Sequence, residues 1–285
     1  MNKEIKILGV MSVYFPKLID LERNIYSFID NIDYLILWDN TPDQNFGLTE
    51  LVHRVNSQKI IIQSTGKNEF LAHPFNICIK YAVENSFTHL LLMDQDSYFD
   101  PQSFANYKQQ IIENLSTNIG IYTPLVNTNT LVSGGIQQLK FAYTSGSVIP
   151  VSVFEKVGLF REDLAMYSID VEFSFRIRNC GFSIIRFNDV VLNHEMGYAI
   201  KNKLGFTINN YSALSTYYII RNTLLLWKEY PWEFDKKDRV FFIKYKVIFR
   251  LLKMIFEKDK LKKTKAIVLG VVHGIKGRAG IYKFV

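Results

Sequence analysis

The sequence predicts an α/β protein built on a mostly parallel central sheet, and two observations support this. In the first 125 residues, short runs that are apolar throughout alternate with longer segments of helical periodicity. Strands without polar alternation are typical of a parallel sheet covered by helices on both faces. The composition is that of an ordered globular chain, because 48% of the 285 residues are hydrophobic and 14% are aromatic.

The elements of this first part follow in order from those patterns. The expected strands are the short apolar runs 5–15, 34–40, 59–64, 89–94 and 119–124. Two helices are expected, at 18–29 and 74–86, because their apolar residues recur three or four positions apart. A third helix is expected to begin at residue 100, with Asp100 as N-cap and Pro101 in the first turn.

The middle of the chain, 141–181, predicts three further elements. A strand is followed by a turn of small residues around Gly146 and by a short helix that begins near Val151. The next helix ends at Gly181, a natural helix stop. One face of this helix is apolar and consists of Ile169, Phe173, Ile177 and Cys180.

The positive charge is concentrated at the end of the chain. The net charge is +7, but residues 236–285 contain fifteen Lys or Arg against three acidic residues, so they carry +12 and residues 1–235 carry −5. Segment 239–265 interleaves basic side chains with an apolar helical stripe, which favours an anionic membrane surface. A helix that packs its apolar stripe on the rest of the protein has the same pattern. Nucleic-acid binding is a third interpretation, which no recognised motif supports. We expect one domain at 1–225 and a basic helical region at 226–285.

Several classes of protein are disfavoured. Cys78 and Cys180 lack motif spacing, which indicates a reducing compartment and neither a disulfide framework nor a zinc site. The N-terminus reads as a core strand rather than a signal peptide, and no apolar run approaches the roughly 20 residues that span a bilayer. Neither a G-x-G-x-x-G fingerprint nor a P-loop is found, so dinucleotide binding and P-loop chemistry gain no support. We expect a cytoplasmic protein.

Acidic residues stand where strands are expected to end. The apolar run 90–93 leads directly into Asp94, Gln95 and Asp96. If the strand persists, residues 94 and 96 point to the same side, and a divalent cation is the obvious partner for two converging carboxylates. The alternative is that the strand ends at residue 93 and a turn begins. Asp39 and Asn40 end another strand, and because ligands of parallel sheets bind at these ends, the metal reading is favoured.

A second acidic pair lies on the helix at 169–180. Asp170 is in its first turn, and Glu172 points roughly 200° away from it at 100° per residue. Glu172 and Arg176 have the i, i+4 spacing of a favourable helix pair. We therefore assign Asp170 to chemistry, with helix capping as the alternative, and Glu172 with Arg176 to structure or acceptor contact.

The order of seven motifs resembles the family 2 glycosyltransferases, most closely the bacterial rhamnosyltransferase-type branch that builds O-antigen and capsular polysaccharides. The motifs are VYFP, WDN, MDQDS, TSGSVIP, IDVEFSFRIRNCG, NHEMG and YYIIRN. The resemblance covers about residues 5–225, and the closing segment GVVHGIKGRAG at 270–280 is similar to the ends of that branch. The D-Q-D-S form and the D-x-E-x-x-x-R-x-x-x-x-G spacing are the most diagnostic parts.

The resemblance implies a GT-A fold, a nucleotide-diphosphate sugar donor, a divalent metal (Mn²⁺ or Mg²⁺) and inversion at the anomeric carbon. Asp96 would ligate the metal, Asp94 would contact the metal or the ribose, and Asp170 would be the general base. His194 would be a further metal or phosphate ligand, with a structural histidine as the alternative. The residues implied for donor binding besides Asp94 are Tyr14, Phe15, Pro16, Asp39, Asn40, Asn76 and Arg221.

Two of these assignments carry alternatives. Arg221 has the geometry to bind diphosphate bidentately, but an arginine bonded to backbone at the edge of the core has the same sequence context. Asn76 follows the segment GKNEFLAHPFN, which has Pro74 where relatives often have a glycine-rich loop. This departure leaves the shape of the donor loop and the identity of the sugar open.

We expect an inverting, metal-dependent glycosyltransferase of cell-surface polysaccharide synthesis. The resemblance favours transfer of L-rhamnose from dTDP-rhamnose to a lipid-linked or polysaccharide acceptor, by an enzyme peripheral to the inner face of the bacterial plasma membrane. One alternative keeps the fold and uses a UDP-sugar donor of galactose, N-acetylglucosamine or galactofuranose. The other is a catalytically silent nucleotide-sugar-binding protein. Nucleic acid is not an expected partner, and homo-oligomerisation is left open.

Overall fold

The computed structural model describes residues 4–43, 47–55, 58–126, 134–194, 199–201, 207–209, 211–253 and 259–282. The chain forms two compact units. Unit 1 contains residues 1–160 and 173–195, and unit 2 contains residues 161–172 and 196–285. The domain boundary expected at 225/226 does not coincide with this division, because it falls inside a continuous helix, Ala213–Glu229.

Unit 1 is built on a mixed sheet of nine strands, counted within the described residues. Strands β1 to β9 span Ile7–Val13, Tyr34–Asp39, Ile60–Ser64, His89–Asp94, Ser97–Phe99, Ile119–Val126, Ile136–Leu139, Val148–Pro150 and Ser183–His194. The order is β3-β2-β1-β4-β8-β6-β9-β5, with β7 also paired to β9. β3, β2, β1 and β4 are parallel, whereas β8 lies antiparallel between β4 and β6.

Helices pack their apolar residues against this sheet. Helices α1 to α6 span Leu18–Tyr26, Gly47–Val55, Ala72–Glu84, Ser103–Glu113, Val153–Val157 and Ile169–Asn179. Leu21 of α1, Leu51 of α2 and Phe104 of α4 belong to one buried cluster with Met11 of β1 and Leu91 of β4. The fully apolar strands and the i, i+3/i+4 helices therefore close over a common core, as their periodicities predicted.

Three local expectations were wrong. The strand expected before the turn around Gly146 instead follows that turn, as β8. Helix α4 begins at Ser103 and not at Asp100, because Gln102 adopts a left-handed conformation with φ of +65° and a turn intervenes. The Asp100 carboxylate instead accepts a hydrogen bond from the side chain of Asn193 on β9. Gly181 does end α6, with φ of +84°, but Cys180 is exposed and not part of the buried face.

Unit 2 consists mainly of helices. Its elements are β10 (Ala199–Lys201), β11 (Thr207–Asn209), α7 (Ala213–Glu229), α8 (Lys236–Phe241), a π-helical segment Phe242–Ile248, α9 (Phe249–Lys253) and α10 (Lys260–Lys276). A Cβ added at Gly274 of α10 would lie 2.6 Å from Leu224 Cβ, and one at Gly270 would lie 3.0 Å from the Tyr217 carbonyl oxygen. These glycines therefore permit the close crossing of α7 and α10.

Within the described part of the chain, none of the helices has both the length and the apolar character needed to cross a bilayer. The expected basic stripe at 239–265 falls on α8, the π-helical segment, α9 and the start of α10, and its residues 254–258 lie outside the described residues. The NHEMG motif is described only as far as His194.

Candidate active site

The carboxyl ends of three parallel strands meet at one edge of unit 1. In the sheet register, Val13 at the end of β1 lies opposite Asp39 at the end of β2, and Ser12 lies opposite Asp94 at the end of β4. The sequence therefore placed Asp39 and Asp94 correctly at a shared edge, where ligands of parallel sheets bind.

Asp94, Asp96 and His194 form an acidic cluster at this edge. One ligand atom from each side chain lies within 4.8 Å of the other two, and all three residues are half-buried. The carboxylates do not converge through a persisting strand, because β4 ends at Asp94 and a turn at Gln95 and Asp96 follows. His194 is brought to the cluster by β9, whose last residue pairs with Ser97 of β5.

Neighbouring polar groups hold the acidic cluster in place. Ser97 Oγ lies 2.7 Å from His194 Nδ1, and Asp96 Oδ1 lies 3.4 Å from the same nitrogen. Ser145 Oγ donates to Ser97 Oγ at 2.8 Å and accepts from the Asp94 backbone N–H at 3.1 Å. The hydroxyls of Ser97 and Ser145 thereby link the end of β4 to the end of β9.

Gln95 fixes the turn between the two aspartates. Its side chain accepts from the Tyr14 N–H at 2.7 Å and donates to the Tyr14 carbonyl at 3.2 Å, while its own carbonyl accepts from Asn24 of α1. The end of β1 and the turn after β4 are therefore held as one piece. Sequence reasoning missed the roles of Gln95, Ser97 and Ser145, although all three stand inside the quoted motifs MDQDS and TSGSVIP.

The acidic cluster fits a divalent cation. Carboxylate oxygens suit Mg²⁺ or Mn²⁺, and a part-exposed set of three ligands leaves coordination positions for substrate and water. A hydrogen-bonded histidine and turn of this kind orient ligands before the metal arrives.

The residues expected to bind the base lie at or just after the ends of β1 and β2, at the same edge of the sheet as Asp94. They differ in exposure. Asp39 and Asn40 are buried: Asp39 Oδ1 accepts from the Thr41 N–H, and the Asn40 amide donates to Ser12 Oγ and the Phe70 carbonyl. Tyr14 and its neighbour Phe15 are 47% and 63% exposed, with Pro16 half-buried beside them. The exposed rings are therefore the parts of this group available to stack on a planar ligand.

Asn76 is buried in α3, and both ends of its amide bind the backbone of Phe160. The N–H donates at 2.9 Å and the carbonyl accepts at 2.9 Å. This arrangement gives Asn76 a structural task within unit 1, and its expected donor contact stays a prediction.

Asp170 stands in the first turn of α6 and is half-buried. Desolvation raises the pKa of its carboxyl above the usual range of an aspartate, and the Val171 N–H, which donates to Oδ1 at 2.9 Å, opposes part of that rise. The preceding segment contains three non-glycine residues with positive φ: Ala165, Tyr167 and Ser168, with φ of 60°, 61° and 61°. Such conformations cost about 1–3 kcal/mol each.

Glu172 and Arg176 both bind local groups. Glu172 is fully buried and accepts a hydrogen bond from the Tyr230 hydroxyl at 2.9 Å. Arg176 donates to the carbonyls of Val157 and Leu159 at 2.6 and 2.8 Å. These partners differ from the i, i+4 partners that the sequence suggested, so the Glu172–Arg176 pair and the acceptor contact both stay predictions.

The arrangement of Arg221 favours the structural alternative over diphosphate binding. Its guanidinium is fully buried in unit 2 and donates to the carbonyls of Asp163, Leu164 and Gly280. The neighbouring Asn222, whose role the sequence did not indicate, donates to further carbonyls of the same segment. The sequence therefore singled out the motif YYIIRN, but its side-chain donors can bind backbone carbonyls as well as phosphate.

Comparison with known proteins extends this picture. No protein-family model matches the chain. It is similar to the dTDP-rhamnosyl transferase RfbF of Shigella flexneri, with 26% identity over 297 aligned residues that cover 96% of this chain and 97% of the relative.

Two solved structures are also similar. One is GalNAc-T7 with UDP, GalNAc and Mn²⁺, with a TM-score of 0.60 and 13% identity over 81% of this chain; the chain spans only 50% of that protein. The other is the mannosyltransferase PcManGT from Pyrobaculum calidifontis in complex with GDP-Man and Mn²⁺. Its TM-score is 0.58, with 10% identity over 97% of this chain and 88% of that chain. The chain thus has the GT-A glycosyltransferase fold, and its expected resemblance to rhamnosyltransferases is confirmed by the similarity to RfbF.

Proposed function

We propose that this chain is an inverting glycosyltransferase that moves L-rhamnose from dTDP-rhamnose onto a lipid-linked or polysaccharide acceptor. One observation carries the proposal: two carboxylates and an imidazole converge within 4.8 Å at a strand end of a GT-A fold. The relative RfbF supports the donor, and the two solved neighbours, which hold UDP or GDP-Man with Mn²⁺, support the class of nucleotide-diphosphate sugars.

Asp94, Asp96 and His194 would hold the divalent cation. When bound, this cation neutralises the charge that develops on the diphosphate leaving group. The contribution of the chain is to present the ligands already oriented, through the Ser97 and Ser145 hydroxyls, so that little reorganisation accompanies reaction.

Asp170 acts as the general base in this proposal. The acceptor oxygen forms a bond to the anomeric carbon while the bond from that carbon to the phosphate oxygen breaks, and the diphosphate leaves with the electron pair. Asp170 takes the proton of the attacking hydroxyl. A single carboxylate is sufficient for inversion by one displacement, and a base of this kind contributes roughly 10²–10⁴-fold.

A panel of donors tests the proposal. Thermal unfolding of the chain is followed with Mn²⁺ and dTDP-rhamnose, UDP-galactose, UDP-N-acetylglucosamine or UDP-galactofuranose. We expect the largest Mn²⁺-dependent stabilisation with dTDP-rhamnose, and inverted product from it in a transfer assay. Greater stabilisation by a UDP-sugar would identify that sugar, and not dTDP-rhamnose, as the donor. Mn²⁺-dependent binding without turnover on any lipid-linked acceptor would favour the catalytically silent binding protein.

The surface of the helical run 236–253 supports an acceptor that resides in a membrane. Phe241, Tyr245 and Phe249 follow one another at four-residue spacing, with ring centroids 4.8 and 6.3 Å apart, and are 54%, 45% and 56% exposed. We call these three residues the aromatic ridge. Lys244 lies 5.3 Å from the Tyr245 ring, and further lysines flank the ridge.

An exposed aromatic ridge with flanking cations complements an anionic lipid surface, because rings enter the interface while ammonium groups face lipid phosphates. Flotation with vesicles of phosphatidylcholine with phosphatidylglycerol, or of phosphatidylcholine alone, tests this part. We expect salt-sensitive binding to the anionic vesicles, lost in the triple variant Phe241→Ser, Tyr245→Ser, Phe249→Ser and kept in Ile19→Ser, an exposed apolar control on α1. Equal binding of both vesicle types, or a dimer that the triple variant dissociates, would overturn the membrane assignment.

A further inference from the structure

Arg221 and Asn222, consecutive residues of α7, bind the backbone of the segment 163–168. Arg221 Nη2 donates to the carbonyls of Asp163 and Leu164 at 3.0 and 3.1 Å. Asn222 Nδ2 lies 3.0, 2.8 and 2.9 Å from the carbonyls of residues 164, 166 and 167. We call the two side chains the carbonyl clamp.

The clamp is itself rigid. Arg221 Nε donates to Asn222 Oδ1 at 2.8 Å, and both side chains are fully buried. The guanidinium carbon lies 4.7 Å from the ring centre of Tyr218, and Nη1 donates to the carbonyl of Gly280. The Gly280 N–H in turn donates to the Asp163 carbonyl at 2.7 Å, so Gly280 and Arg221 bind the same carbonyl.

The clamped segment has a conformation that it would not retain alone. Three of the four residues 165–168 have positive φ, and none of them is glycine. A backbone of this kind persists only where the surrounding structure over-determines it. The carbonyls of 164, 166 and 167 are those that Asn222 binds, so its contacts fall on the strained residues and their neighbours.

The segment leads directly into Asp170. The Glu172 N–H donates to the Ser168 carbonyl at 2.9 Å, which makes residue 168 the start of the first turn of α6. Asp170 lies within that turn. The direction of its carboxylate therefore depends on the backbone path of 165–168, which the clamp determines.

We propose that Arg221 and Asn222 are positioning residues for Asp170, which hold the strained segment so that the carboxylate keeps its reactive orientation. The catalytic part of this inference rests on the proposed role of Asp170 as the base. The conformational part concerns only the segment and its backbone, so that it is tested separately.

The variant Asn222→Asp tests the clamp with little change in shape. It keeps an oxygen that accepts from Arg221 but replaces the donor that binds three carbonyls. We expect kcat per folded molecule to fall by about 10²-fold, since small misplacement of a catalytic group has effects of that size, with the donor KM unchanged. Hydrogen exchange of the amides in 165–171 should become faster while α10 keeps its protection.

Thr223→Val is the matched control, because the neighbouring Thr223 hydroxyl donates to the carbonyl of Ile219 within its own helix. We expect it to leave kcat and the exchange of 165–171 unchanged. Asn222→Ser, which introduces no buried charge, replaces Asn222→Asp if the latter does not fold, and we expect the same two changes in smaller degree.

Two results would overturn the inference: exchange of 165–171 that stays as slow as in the parent chain, or a parent-like kcat despite faster exchange. Uniformly faster exchange throughout unit 2 would also overturn it, because a general loss of stability does not single out the segment. If Asp170→Asn retains full turnover, the proposed function of Asp170 fails, whereas local exchange in Asn222→Asp still decides whether the clamp holds the segment.

Discussion

The acidic cluster of unit 1 and the carbonyl clamp of unit 2 show opposite uses of polar side chains. In the cluster, Asp94, Asp96 and His194 bring two carboxylates and an imidazole together at a part-exposed strand end. In the clamp, the donors of Arg221 and Asn222 are directed at backbone carbonyls in the interior of unit 2. The acidic cluster can bind an external cation, whereas the donors of the carbonyl clamp are already bound to backbone carbonyls.

This difference separates function from stability. Buried polar groups that are satisfied by the protein stabilise the fold, and removing one partner leaves the other desolvated without compensation. The side chains of the acidic cluster are part-exposed, so we expect their substitution to affect cation binding more than folding. Asp96→Asn and Arg221→Met separate these two outcomes, and two further substitutions test stability alone.

The largest expected effect is that of Asp96→Asn. It keeps the shape of the side chain and removes one charge from the acidic cluster, so we expect transfer to fall by about 10²–10³-fold and Mn²⁺-dependent stabilisation by donor to be lost. Because the Asp96 side chain is 42% exposed, the stability without metal should change by less than about 0.5 kcal/mol. Glu113→Gln on α4, an exposed carboxylate outside the cluster, should change neither quantity. Parent-like dependence on Mn²⁺ would remove Asp96 from the metal site.

Arg221→Met should have the reverse profile. It leaves carbonyls of the segment without a charged donor, and we expect the free energy of unfolding to fall by about 3 kcal/mol in urea titrations. Mn²⁺-dependent donor affinity of the folded fraction should be retained. Loss of that affinity at parent-like stability would instead restore Arg221 as the diphosphate ligand that its sequence context suggested.

His89, the first residue of β4, extends the comparison to pH. Burial at the start of β4 lowers the pKa of His89 from 6.5 to about 4, so the unfolded chain binds more protons between these values. Stability should therefore be complete above about pH 6.5 and decrease by about 2–3 kcal/mol as the pH falls towards 4. His89→Gln should reduce this dependence, measured by urea titrations at several pH values, and the exposed control His53→Gln should not. An unchanged slope in His89→Gln would assign the acid sensitivity to other groups.

The smallest effect concerns the helix crossing beneath the clamp. Alanine is a better helix former than glycine, but a Cβ at Gly274 would lie 2.6 Å from Leu224 Cβ, an atom fixed to the backbone of α7. We expect Gly274→Ala to lower the thermal midpoint, with a net cost of about 1–2 kcal/mol. Val268→Ala, at an exposed position of α10, is the control with little expected change. A raised midpoint in Gly274→Ala would mean that the helices separate without cost.

The sequence predicted the part of the site that depends on local pattern. Apolar runs that end in Asp39 and Asp94 placed both residues at the carboxyl edge of the sheet, and the register confirms this position. The convergence of Asp94 and Asp96 was also predicted, but through a persisting strand; the structure achieves it with a turn that Gln95 holds.

The expectations that differ from the structure, or lose support from it, concern partners distant in sequence. Asp100 was expected to cap α4, but its carboxylate binds Asn193, which is 93 positions away. The Asn76 amide binds Phe160, 84 positions away, and Arg221 binds Gly280, 59 positions away. A sequence window contains none of these partners, so the residue type alone could not distinguish a ligand from a structural contact.

The sequence by itself determined the α/β class, the strand ends that carry carboxylates, and the family that the motifs resemble, because periodicity and strand termination are encoded in neighbouring residues. Only the tertiary structure decided which polar side chains remain available to a ligand. A guanidinium or an amide can donate to phosphate or to backbone carbonyls, and which of them it meets depends on which distant segments fold against it.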